Sequence, residues 1–295
     1  MRRNGSQAAG WAAKRAAGWA VAAVGGLAPL AVAGHTNNIL ITGYWPQTNE
    51  MVRRYSTSPT QNPDGWIGGN WENRGYDIHS YFPEFPGGVG ANPKGNGDLE
   101  VDYQDTSADF WRIVEEVRPV AIITFSRGSA RANWELERIN RNWETWIDDY
   151  EAPFQPTDEN GVPGRPDKTV PADYIRETSL PVNSIIDAVR ATGAIPSSSV
   201  FVDETGGGGQ FLSEFIAYHG VWYQSMHSDP SDPYWTVAAG HIHVGVNTSL
   251  SAAMTATDAT LRALTDYLDT VIPAPGTGGV MLAGVGVLAR RRRRA

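Results

Sequence analysis

The chain has 295 residues, 41% of them hydrophobic, and a formal net charge of −8. That is enough apolar chain for one large domain with its own core, and too much for a disordered one. It contains no cysteine, so catalysis by a thiol is excluded, and a domain of this size needs no disulfides to hold it.

At the N-terminus, Arg2, Arg3, Lys14 and Arg15 precede an Ala-rich apolar stretch from Ala16 to Leu30, followed by the small residues Ala31-Val32-Ala33. This pattern predicts an export signal over residues 1–33. A membrane anchor is the other reading, but the apolar run is shorter than the roughly 20 residues a spanning helix needs. Asn38 to Thr42 is a short apolar run ending at Gly43, the pattern of a buried first strand. From Pro59 to Gly97 the chain is dense in Gly, Asn and Pro and reads as loop-rich.

Phe110, Ile113, Val114 and Val117 recur at helical spacing, with Asp105 to Ser107 as the expected cap. Pro119 to Phe125 reads as a central strand, and Tyr150 to Asp173, polar and Pro-rich, as an excursion over the surface. Pro181 to Val189 predicts a helix with proline early, Ser199 to Val202 a strand, and Phe211 to Trp222 a helix after the turn Gly206 to Gly209. A strand over Ala238 to Val246 and an amphipathic helix over Leu250 to Leu268 close the domain, residues 34–271. Alternating strands and helices predict an α/β fold whose mostly parallel central sheet is covered on both faces.

The tail, residues 272–295, runs from Pro273-Ala274-Pro275 through an apolar stretch, Val280 to Ala289, to five arginines, Arg290 to Arg294. It resembles the PEP-CTERM sorting tails of bacterial envelope proteins. That resemblance implies a transient membrane anchor, a sorting protease as partner, and a cell-envelope or extracellular location; a disordered basic tail is the plainer reading. The two ends carry nine basic residues and no acidic one, so losing both would take the net charge from −8 to −17. Such a domain is a poor partner for nucleic acid or anionic lipid.

Three local patterns carry chemistry. Gly206 to Gly209 running into Gln210-Phe211-Leu212-Ser213 would bring backbone N–H groups and a positive helix end to Ser213, as a nucleophile beside an oxyanion site requires; a flexible loop before an ordinary serine is the plainer reading. His241 and His243, two apart on a strand, share one face and could serve as a general base with a polar neighbour or as a metal pair. Glu135 and Glu137 likewise share a face, either orienting a histidine or lying on a solvated edge. No Gly-x-Ser-x-Gly elbow, P-loop or dinucleotide fingerprint is present, so no cofactor is expected.

In this order and spacing the segments resemble the pyroglutamyl peptidase I (pyrrolidone-carboxylate peptidase) family over roughly Asn38 to Leu268. Ile39-Leu40-Ile41-Thr42-Gly43-Tyr44-x-Pro46 is similar to its opening strand and Thr-Gly-Phe-x-Pro-Phe turn, and Pro119 to Ile123 to the strand before its Gly-rich turn. Leu136-Glu137-Arg138-Ile139-x-x-Asn142 resembles its glutamate motif, and Ser179-Leu180-Pro181-Val182 its Thr-Leu-Pro-Val helix start. Gly208-Gly209-Gln210-Phe211-Leu212-Ser213-Glu214 resembles its Ala-Gly-Thr-Phe-Val-Cys-Asn motif, and Gly240-His241-Ile242-His243-Val244 its Gly-Phe-Ile-His-Val motif.

The resemblance implies a three-layer α/β/α sandwich and a hydrolase of amide or ester bonds acting on a small-molecule or peptide substrate. It implies Ser213 in the place of the family's cysteine, His243 as base and Glu137 as orienting carboxylate. It also implies Gly208, Gly209 and Leu212 around the oxyanion, and Tyr44, Gln47, Arg127 and Phe211 around the substrate. Ile147 stands where the family has an arginine, and Gln47 replaces its second ring-sandwiching aromatic. An inactive, envelope-associated ligand-binding protein of the same fold is the alternative.

Overall fold

The computed structural model describes residues 35–206 and 208–272; the expected export signal and, beyond Ile272, the expected sorting tail lie outside them. In chain order the elements are β1 (Asn38–Thr42), α1 (Pro46–Val52), β2 (Asp77–Tyr81), α2 (Tyr103–Val117), β3 (Ala121–Arg127), β4 (Trp134–Glu137), β5 (Ile139–Asn142) and β6 (Tyr174–Glu177). There follow α3 (Val182–Thr192), β7 (Val200–Asp203), α4 (Leu212–Met226), β8 (Ala238–Val244) and α5 (Leu250–Val271). Six strands form one sheet in the order β2-β1-β3-β8-β4-β7, and β5 and β6 pair separately. Four of its pairings are parallel; β4 runs antiparallel to β8.

The period-two alternation of strands sorts the core into two layers. Ile39, Ile41, Ala121, Ile123, Phe125, Trp134, Leu136, Ala238, Ile242 and Val244 point to one face and pack with residues of α1, α3 and α5. Leu40, Ile122 and Ala239 point to the other, against Phe110, Ile113 and Val114 of α2 and Ile216, Val221 and Tyr223 of α4. The sheet is therefore covered on both sides, as the alternation of strands and helices predicts. No helix among the described residues is long and apolar enough to cross a membrane.

One local expectation is corrected, and two details are added. The loop-rich stretch Pro59 to Gly97 also holds the edge strand β2, with only Ile78 and Ser80 of its five residues buried, which leaves little apolar pattern to read. Helix α2 begins at Tyr103 rather than after Asp105, because the Asp102 carboxylate accepts from the amides of Gln104 and Asp105 and so satisfies first-turn donors. Arg118, in the left-handed region at φ 50°, ends that helix directly before Pro119.

The surface excursion is tied down at both ends. Asn142 of β5 donates to the carbonyl of Asp167 (2.7 Å) and accepts from its amide (3.2 Å). The Asp167 carboxylate, fully buried, takes Arg176 of β6 at 2.8 Å, and Arg176 also donates to the Tyr218 hydroxyl on α4 at 3.1 Å.

Candidate active site

The same alternation that sends apolar residues to both faces puts polar ones on the α2–α4 face at one end of the sheet. Thr124 and Ser126 of β3 are in register with His241 and His243 of β8, and His243 is in register with Glu135 of β4. Ser126, His243 and Glu135 thus form a row across three neighbouring strands, with Glu137 two residues along from Glu135. The row lies where β3 and β8 reach their carboxyl ends, the usual location of ligand sites in such sheets.

His243 is almost fully buried, and its Nδ1 lies 2.6 Å from Glu137 Oε1. Glu137 itself is buried, so the solvated-edge reading of this strand does not hold. With an ionised carboxylate as partner, Nδ1 carries the proton and Nε2 is left as the basic nitrogen. His243 lines a cavity of about 520 Å³.

His241 plays a different part. Thr124 Oγ1 sits 2.7 Å from its Nδ1 and Ser126 Oγ 2.8 Å from its Nε2. Both ring nitrogens are engaged, which argues against the two histidines forming a metal pair. Burial, followed by the neighbouring His243, holds its pKa well below the usual histidine range. It packs edge-on against the His243 ring at 4.6 Å between centroids and so buttresses it. A set with metal-ligand chemistry does exist here, in Glu135, Glu137 and His243, whose ligand atoms lie within 4.8 Å of one another.

Ser213 lines the same cavity, as the second residue of α4. Aromatic packing fixes that end of the helix: Phe215 stacks edge-to-face on Tyr103 at 5.0 Å and on Trp146 at 5.3 Å. The preceding loop is stapled by the Ile147 amide donating to the Gln210 carbonyl at 2.8 Å. Ser213 Oγ and His243 are not hydrogen-bonded to each other among the described residues.

The backbone amides of Leu212 and Ser213 have no hydrogen-bond partner among the described residues, as first-turn amides of a helix do not unless capped. They stand at the positive end of a 15-residue helix, beside the serine hydroxyl. Gly208 is required here for space: a Cβ would come within 2.4 Å of Glu214 Oε2. Glu214 is 2% exposed, and burial raises its pKa to about 8. Its Oε1 accepts from the Arg141 amide at 2.5 Å, so the loop, β5 and α4 meet on one neutral carboxyl.

Of the expected substrate contacts, Tyr44, Arg127 and Phe211 line the cavity, as do Gly208 and Leu212. Gln47 and Gly209 do not. The Gln47 amide is turned away, donating to the carbonyl of Thr248 in the β8–α5 turn. Arg127 lies over the Trp45 ring at 5.1 Å.

Beyond Ile147, where the resembled family has an arginine, the sequence reading missed the part of the wall contributed by Asp148, Asp149 and Tyr150. These residues show no local pattern, and only the fold brings the excursion over the sheet end. It also left Glu135 without a place in the site. Glu135 lines the cavity beside His243; one carboxylate oxygen, Oε2, accepts from Asn133 at 2.9 Å, and burial raises its pKa.

No protein-family model matches the chain, and no curated protein does. Solved structures do match. The pyrrolidone carboxyl peptidase of Thermococcus litoralis aligns at a TM-score of 0.52 and 19% identity, over 81% of this chain and 99% of that one. Pyroglutamyl peptidase I of Bacillus amyloliquefaciens aligns at 0.52 and 18%, over 78% and 97%. A mutant pyrrolidone carboxyl peptidase from Pyrococcus furiosus aligns at 0.51 and 16%, over 78% and 99%. At these identities the likeness establishes a shared fold.

Proposed function

We infer that the domain is a serine hydrolase of amide or ester bonds, with Ser213 as nucleophile, His243 as general base and Glu137 as the carboxylate that orients it. One observation carries this reading: a buried His243–Glu137 pair at 2.6 Å faces a cavity that Ser213 also lines. The fold shared with pyroglutamyl peptidases supports it. Isolated histidine–carboxylate pairs do occur as structural elements. Here the histidine lines a cavity that also holds a serine next to two unpartnered helix amides.

In the reaction, Ser213 Oγ attacks the acyl carbon while Nε2 of His243 takes its proton. The carbonyl oxygen becomes an oxyanion that the amides of Leu212 and Ser213 can receive. The protonated histidine then gives its proton to the leaving amine or alcohol as the oxyanion collapses and the bond from the acyl carbon to that group breaks, leaving the acyl group esterified on Ser213 Oγ. Water, deprotonated by the same nitrogen, cleaves that ester and restores the serine. A serine cannot rest as an anion as a thiol can, so the scheme depends wholly on His243 holding the correct tautomer. Glu137 enforces that tautomer through Nδ1.

The test is a fluorophosphonate probe with mass spectrometry of the labelled peptide. Labelling at Ser213 is expected, with none in His243→Ala and a rate reduced about 10³- to 10⁴-fold in Glu137→Gln. A folded wild-type protein that takes no label would overturn this reading in favour of a ligand-binding protein that kept the pocket.

A further inference from the structure

Four charged side chains line the cavity besides His243: Arg127 against Glu135, Asp148 and Asp149. The arginine is exposed at the rim and stacked on Trp45. Asp149 is engaged by the amides of Tyr103 and Glu151, and Asp148 at the rim takes the Gln155 side-chain amide at 2.6 Å. Glu135 differs from both. It stands on the sheet itself, half-buried and directly opposite His243 on the neighbouring strand, and its second oxygen, Oε1, has no hydrogen-bond partner among the described residues.

The unpartnered oxygen of this half-buried carboxylate faces the cavity, where a donor on a ligand can take the place of water. A carboxylate-bearing ligand would meet repulsion from three like charges. A neutral amide would need only a neutral acceptor. A primary ammonium satisfies both the free oxygen and the charge, and charge-assisted hydrogen bonds are about twice as strong as neutral ones.

The position fits the chemistry. Directly opposed residues on antiparallel strands hold their Cβ atoms roughly 4.5–5.5 Å apart, and ligand atoms of Glu135 and His243 approach within 4.8 Å. An α-ammonium is two bonds from the acyl carbon. When Ser213 attacks that carbon and His243 takes its proton, the ammonium of an unblocked α-amino acyl group falls within reach of the carboxylate beside the base.

We propose that Glu135 is the receptor for a free α-ammonium group, and that the cavity takes unblocked α-aminoacyl amides or esters, such as peptide N-termini, in preference to acylated or lactam-blocked ones. The pose rests on the hydrolase reading above, while the ammonium contact can be measured without turnover.

The experiment uses the full chain carrying Ser213→Ala, so that ligands bind without reacting, and titrates glutaminamide, N-acetylglutaminamide and pyroglutamic acid amide by calorimetry. Glutaminamide is expected to bind at least tenfold more tightly than the two blocked amides. Adding Glu135→Gln, an isosteric change checked by thermal melting, is expected to cut that preference by about 10- to 100-fold. Glu135→Asp, which keeps the charge, should retain part of it. Equal or tighter binding of a blocked amide, no binding of any of the three, or a preference unchanged by Glu135→Gln would each overturn the proposal. Fluorophosphonate labelling of the wild-type chain reports separately on the hydrolase reading. Labelling without ammonium preference removes only the Glu135 assignment. Ammonium preference without labelling leaves an amine-binding pocket and removes the hydrolase.

Discussion

Glu214 shows how a single side chain next to Ser213 can set a pH dependence of the whole protein. Burial raises its pKa to about 8, against about 4.3 for a free glutamate. The folded state therefore holds a proton that the unfolded state has lost between those values. Its contribution to stability is complete below the free carboxyl range and is lost as pH rises towards 8, at roughly 1.4 kcal/mol per pH unit. Glu214→Gln, which imitates the neutral acid and can still accept from the Arg141 amide, should flatten that slope. Urea denaturation at pH 5, 6.5 and 8 checks it; equal slopes in both proteins would mean that Glu214 is ionised in the fold.

At the scale of elements, the excursion between β5 and β6 depends on one buried ion pair. Arg176 bridges Asp167 and Tyr218, and Asp167 is fully buried. Removing one partner of such a pair strands the other, at a cost of about 3–5 kcal/mol. Arg176→Ala should lower the denaturation midpoint accordingly. It should also depress Ser213 labelling in the part that stays folded, because Ile147 to Tyr150 of the same segment wall the cavity.

Elements were also where reading from sequence alone reached its limit. Period two on β4 and β8 placed Glu135 with Glu137 and His241 with His243 on common faces, and both placements are what the structure has. Nothing local says that β4 lies antiparallel beside β8, so neither the burial of Glu137 nor the closeness of Glu135 to His243 could be read. The cap at Asp102 was hidden by the acidic and hydroxyl residues that follow it, any of which can cap a helix. The strand β2 was hidden because an edge strand buries so few residues. Assigning Ser213 and His243 rested on resemblance to a family, since four glycines before a serine are compatible with any flexible loop.

Across the whole molecule, the two faces of the sheet divide the work. The face under α1, α3 and α5 is a continuous apolar core. The other carries Thr124, Ser126, His241, His243, Glu135 and Glu137 at one end, where packing gives way to polar contacts. Leu264→Ala, in the buried side of α5, should cost about 2–5 kcal/mol in stability and leave the Ser213 labelling rate of the folded protein within about twofold. His243→Ala should reverse the balance, abolishing labelling with a smaller loss of stability. Denaturation and labelling of the two variants side by side would show it, and a Leu264→Ala protein that folds but no longer labels would mean that the faces are coupled.

The staple from the Ile147 amide to the Gln210 carbonyl joins two parts of the chain with separate places in the cavity, one forming part of its wall and one presenting Ser213. Neither belongs to the sheet. A lineage could therefore lengthen, shorten or recompose residues 143–173 and so change which molecules are admitted, while the strands that carry the histidine and its carboxylate stay as they are. The anchors at Asn142 and Arg176 mark where such a cassette would be cut and rejoined.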